Sequence, residues 1–186
     1  RHMIDGGRGL ITAFDNVWRR FTDRLAGLTD DEYFWEPVAE CWTLRQRPNG
    51  RWRLDGAGGN APTPDPPPVC TIAWRIGHLA GMNLRGHADR LFGDATLDAK
   101  RLDYPSTVAA LPAFLAEHYG VWRDGTGALD ADGWASPLGP NWGPYAESTV
   151  FDLALHVFDE VVHHAAEIGL LRDLYSRRAE LIDRAD

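Results

Sequence analysis

Apolar and polar residues alternate with a helical period over most of this chain. Across residues 9–28, Leu10, Phe14, Val17, Trp18, Phe21 and Leu25 recur at spacings of three and four, with Asp15, Arg19, Arg20 and Arg24 largely on the other side. That spacing predicts an amphipathic helix with one buried face. Gly27 ends it, Thr29 with Glu32 reads as a capping box for a short turn through Tyr33, Phe34 and Trp35, and Pro37 stops that turn. A second helix is expected over 71–92, capped by Thr71, with Ile72, Trp74, Ile76, Leu79 and Met82 as its apolar set and Gly93 at its end. A third covers 106–129, carrying Val108, Leu111, Phe114, Leu115 and Trp122, with a start or a kink at Pro112. The fourth and longest pattern runs over 148–172, and a short fifth helix is expected over 174–182.

Two stretches break this style. In residues 38–69, Cys41–Arg45 and Arg51–Asp55 flank Pro48-Asn49-Gly50, a turn signal that suggests a small hairpin. Gly- and Pro-rich irregular chain follows it. A loop of this length inside a helical domain is a candidate lid. Residues 124–148 form the other loop, aromatic and again rich in Gly and Pro. Four long amphipathic helices without a comparable set of strands predict an all-α fold, an antiparallel four-helix bundle with a long irregular loop carrying the hairpin. Neither loop is long enough to separate two cores, so one domain is expected over 4–186, with residues 1–3 reading as a tag remnant and the start methionine.

Composition narrows the function classes. The 186 residues carry a net charge of -8 and no basic block, which argues against nucleic acid as a partner. No apolar run approaches the roughly 18 residues that span a bilayer, and no signal peptide opens the chain. Cys41 and Cys70 are too few for a disulfide framework, so a reduced, cytoplasmic protein with inert thiols is the expectation.

The candidate chemistry lies on the fourth helix. Leu153, Val157, Val161, Ile168 and Leu171 define its apolar arc, and Glu160 and His164 fall inside that arc, one turn apart. A buried carboxylate must be paired, protonated or bound to a metal. His78 sits on the apolar side of the second helix, one turn from Trp74 and Met82. His78, Glu160 and His164 together could hold a divalent cation with positions left open, and two imidazoles with one carboxylate suit zinc, nickel or ferrous iron alike. A plain Glu–His–His hydrogen-bond network tying the helices together accounts for the same residues. His156, His163 and Glu167 run along one flank, placed to orient ligands or handle protons. No catalytic residue is singled out.

Three phrases resemble a known family: TIAWRIGHLAG at 71–81, HVFDEVVHHAAEIGLLRDLY at 156–175 and GLTDDEYFWEP at 27–37. They are similar to the DinB-like superfamily of four-helix bundles, often dimeric, in which three side chains hold a divalent metal. The resemblance implies His78 as one ligand, with the other two four residues apart on the last long helix. There the family commonly has two histidines, whereas this chain has Glu160 followed by His164, an arrangement that resembles the mycothiol-dependent maleylpyruvate isomerases. By that likeness the protein is expected to be a metal-dependent thiol transferase or isomerase, with mycothiol as co-substrate, a small-molecule substrate and a homodimeric assembly; hydrolysis is the nearest chemical variant. Trp142, Tyr145 and the 38–69 loop are candidates for the mouth of the site. The alternative is a non-catalytic, stress-associated scaffold whose metal, if any, is structural.

Overall fold

A computed structural model of the chain describes residues 6–56, 64–98 and 102–182, without the side chain of residue 182. The expected tag remnant at 1–3 and the middle of the Gly/Pro-rich loop lie outside the described residues. The described chain is predominantly helical, as the hydrophobic period predicts.

Helix α1, Gly6–Arg24, buries Leu10, Phe14, Trp18 and Phe21, the residues of the three-and-four stripe. After a turn at Gly27 (φ +73°) comes α2, Asp30–Tyr33, capped by the Thr29 side chain, which accepts from the Glu32 backbone N–H. The expected capping box is only half formed. The buried Glu32 carboxylate turns instead to Arg172, 2.7 Å away, because a carboxylate removed from water needs a charged partner more than a backbone donor does.

The hairpin forms where the turn signal placed it. β1 (Leu44–Gln46) pairs antiparallel with β2 (Trp52–Leu54), Leu44 opposite Leu54. Asp55 pins it. Its carboxylate accepts from the Thr43 N–H at 3.1 Å and Arg45 Nε at 2.9 Å, and its carbonyl accepts from the Trp74 indole N–H at 2.8 Å. With the Thr43–Thr71 hydroxyl contact at 2.8 Å, this docks the hairpin against the start of the second helical stretch.

That stretch is not the uniform α-helix expected over 71–92. It comprises α3 (Ile72–Ile76), a nine-residue π-helical segment (Gly77–Arg85) and α4 (Gly86–Phe92), with Thr71 as the N-cap. Gly77 and Gly81 let the hairpin and a loop residue come close to this stretch. A Cβ at Gly77 would meet Leu54 Cδ2 at 2.8 Å, and one at Gly81 would meet Tyr104 Cε1 at 2.9 Å.

A 3₁₀ turn, Val108–Ala110, leads into α5, Leu111–Gly127. Pro112 lies in the first turn, where its missing N–H has no partner to lose, so it marks a start and not a kink. The stretch expected to be loop over 124–148 contains α6 (Ala131–Ala135) and a 3₁₀ segment, Pro140–Tyr145. Elements this short carry too few residues to show a period. Helix α7, Val150–Ser176, is the longest and opens with a full capping box between Thr149 and Asp152. A turn at Arg177 separates it from α8, Arg178–Ile182.

α7 packs against α1, α3 and the π segment, and α5 packs on the π segment as well. Phe14, Tyr33, Leu79, Leu84, Trp122, Val157, Val161 and Ile168 form the centre of the core. No described helix is long and apolar enough to cross a membrane.

Candidate metal centre

Helix packing brings His78, Glu160 and His164 together. Nε2 of His78 lies 3.2 Å from Oε2 of Glu160, and Nε2 of His164 lies 3.3 Å from the same oxygen. The two imidazole rings stand 4.9 Å apart, almost perpendicular, so both Nε2 atoms converge on one point. The site is not sealed: the His78 and Glu160 side chains keep 23% and 26% of their exposure. Trp74 stacks flat on His78 at 4.9 Å and, held by Asp55, fixes the plane of that ring.

Electrostatics set the protonation of each group. The hydrogen bond from His78 holds the Glu160 carboxyl down to about 2 against the opposing effect of burial, with the His164 and His78 charges adding to it. Glu160 is therefore ionised at neutral pH. Burial pushes the His164 pKa below its ordinary value, partly offset by its hydrogen bond to Glu167. Nδ1 of His164 lies 2.6 Å from Oε2 of Glu167, so this N–H donates to the carboxylate and the Nε2 lone pair faces Glu160. Arg75 in turn pairs with Glu167.

These residues fit a divalent cation. The Asn83 amide end joins the same cluster, 3.0 Å from His78 Nε2 and 3.1 Å from Glu160 Oε2. Two imidazole nitrogens converge on one ionised carboxylate oxygen, the donor set that a divalent cation takes up when it displaces the proton shared by His78 and Glu160. The cluster could hold a metal through these three side chains.

The flanking residues divide. Glu167 touches His164. His163 is 62% exposed, with Nε2 3.2 Å from the other Glu167 oxygen. His163, His164 and Glu167 also stand close enough to share an ion. Arg75, however, already supplies the positive charge there, and His164 Nδ1 carries a proton. His156 turns away from the cluster and faces His87, with ring centroids 6.0 Å apart. These two line a cleft of about 500 Å³ together with Arg90, Trp142 and Tyr145, one helical turn from Glu160. Trp142 is buried there beneath His87 and Arg90, while Tyr145 is exposed at the rim. His87 Nδ1 donates to the Asn83 carbonyl at 2.8 Å.

Sequence reasoning passed over Asn83 and Arg75. An α-helical wheel puts Asn83 about 140° from His78, and an arginine on a helix flank reads as solvated. Only the pair of glycines at 77 and 81 hinted at irregular helix. Cys41 and Cys70 are buried, free and outside the cluster, and burial raises both thiol pKa values, Cys70 to about 11.

The sequence profile of the DinB superfamily matches residues 13–168, so the chain belongs to that superfamily. No curated protein and no solved structure gives a match.

Proposed function

We propose that this member of the DinB superfamily is a divalent-metal-dependent enzyme whose ion is held by His78 Nε2, Glu160 and His164 Nε2 and whose co-substrate is a low-molecular-weight thiol of the mycothiol type. The convergence of the two imidazole nitrogens on the ionised Glu160 oxygen, in a site still open to solvent, carries this reading. When bound, the ion would supply Lewis acidity that lowers the pKa of a coordinating thiol. The chain's own groups prepare the site. Glu167 holds the His164 tautomer, Trp74 fixes the His78 ring, and the cleft lined by His87 and His156 offers room for an organic substrate. Transfer of the thiol to that substrate, or isomerisation through it, is the reaction class proposed. A cytoplasmic setting suits the two free thiols.

Partial exposure of two ligands favours this over a closed structural site. The deciding experiment is elemental analysis of untagged protein purified without chelators, beside His78→Ala and His164→Ala. Near-stoichiometric divalent metal, lost in both variants, supports the centre and justifies screening thiol acceptors. Wild-type protein free of metal, and unable to take up added zinc, would leave only a polar network.

A further inference from the structure

The π-helical segment Gly77–Arg85 places one more side chain on the cluster, and we propose that Asn83 is the fourth protein ligand of the metal, through its amide oxygen. This inference rests on the metal reading above and adds to it.

Asn83 follows His78 by five residues. On a regular α-helix that separation leaves the two side chains about 140° apart. In a π-helix residue i+5 comes round to residue i, because the backbone bonds run i→i+5. The segment therefore sets Asn83 directly beside His78. Nine residues of π-helix have poorer backbone geometry than the α-helix flanking them on both sides. The side chain they bring into the cluster gives that irregularity a use.

The local geometry supports ligation. Asn83 is only 5% exposed, and its amide end lies 3.0 Å from His78 Nε2 and 3.1 Å from Glu160 Oε2, two of the three ligating atoms. The oxygen and nitrogen of an amide are assigned from their hydrogen-bonding surroundings. With no cation present, the nitrogen end is the one that suits the Glu160 carboxylate. A cation among the same atoms reverses the preference. The N–H₂ would then point at positive charge, and a half-turn about the terminal bond presents Oδ1, a neutral oxygen donor, at the same place. The result is a shell of two imidazoles, one carboxylate and one amide oxygen. The Asn83 main-chain carbonyl meanwhile accepts from His87 Nδ1 at 2.8 Å, which leaves the side chain free to turn while its backbone stays tethered.

The test uses cobalt(II) as the probe, with the unsubstituted chain, Asn83→Leu and Asn83→Asp. Affinity is read by competition with a chromophoric chelator, and coordination by the visible d–d absorption. If Oδ1 ligates, Asn83→Leu weakens cobalt binding roughly 10- to 100-fold and changes the d–d band. Asn83→Asp, which keeps an oxygen there, binds at least as tightly as wild type with a similar band. If Asn83 serves only as an N–H donor to Glu160, the Asp variant, which cannot donate and repels Glu160, loses as much affinity as the Leu variant, and the proposal fails. An unchanged affinity and band in Asn83→Leu also overturns it. Wild-type protein that takes up no cobalt sinks the metal reading itself, a different result from wild type binding and the Asp variant failing. Circular dichroism of the metal-free variants checks that each is folded; were the Leu variant not to fold, the Asp variant alone still separates ligand from donor.

Discussion

Glu167 and His164 stand one turn apart on α7, with the Glu167 carboxylate 2.6 Å from His164 Nδ1, on the edge of the ring opposite Glu160. The pairing makes the His164 tautomer a property of the protein rather than of the ligand, and it carries a prediction. Glu167→Ala should weaken zinc binding by roughly 10- to 100-fold, as loss of a hydrogen bond behind a metal-bound histidine does. Glu167→Gln, whose carbonyl can still accept from Nδ1–H, should recover part of the loss. Competition titration against a chromophoric chelator measures both, and equal, wild-type affinity in the two variants would refute the role.

Gly81 lies against the Tyr104 ring, where an added Cβ would come within 2.9 Å of Cε1. Tyr104 is buried at 5% exposure, so its ring has little room to yield. Overpacking of this kind costs about 1–3 kcal/mol, whereas alanine's better helix propensity returns about 1 kcal/mol. Gly81→Ala should therefore be destabilising on balance, by about 1 kcal/mol, in urea unfolding. A stabilised variant would mean that the loop around Tyr104 adjusts freely.

His118 is a buried histidine with no hydrogen-bond partner at either ring nitrogen among the described residues, packed on Phe114 at 4.1 Å. Burial pushes its pKa below 6.5, Arg85 adds to that shift and Glu117 opposes it. A depressed folded-state pKa means that the unfolded chain takes up the proton first. Stability is therefore full above about pH 6.5 and falls as the pH drops toward the folded value, with a slope of at most about 1.4 kcal/mol per pH unit. His118→Leu should lose this acid-side dependence. Urea midpoints at pH 7.5 and 5.5 for both proteins test it, and identical differences would show that His118 is not the group responsible.

Arg172 joins α7 to the α1–α2 connection by pairing with Glu32 at 2.7 Å and donating to the Ala26 carbonyl at 3.0 Å. Glu32 is 6% exposed, so Arg172→Met would strand a buried carboxylate, at a cost of about 3 kcal/mol. Adding Glu32→Gln should restore a good part of it, since the stranded charge is gone. A double variant no more stable than Arg172→Met would show that the backbone contacts of Arg172, and not the ion pair, matter.

Much of this is legible in the sequence. Local period and local chemistry identified the four helical stretches, the Thr71 cap and the hairpin turn, because each depends on residues a few positions apart. Long apolar stripes such as Leu10–Phe14–Trp18–Phe21 are hard to mistake. His78, Glu160 and His164 stood out for a related reason: polar groups on an apolar arc are costly, and the cost is visible in the pattern. The five- and six-residue elements within 124–148 were not legible, since so short a segment has no period to read.

What the sequence by itself determined was the helical class, the order of the long elements and the three side chains that share a buried face. Tertiary structure alone decided how those side chains meet and what stands behind them. It switched residues 77–85 from α to π, turning Asn83 from an outward position to the edge of His78, because an altered helical period rotates every later residue. It also diverted Glu32 from its local cap to Arg172 and set Glu167 between His164 and Arg75. Those choices are made by the desolvation of charge, which depends on what packs above a residue and not on its neighbours in the chain.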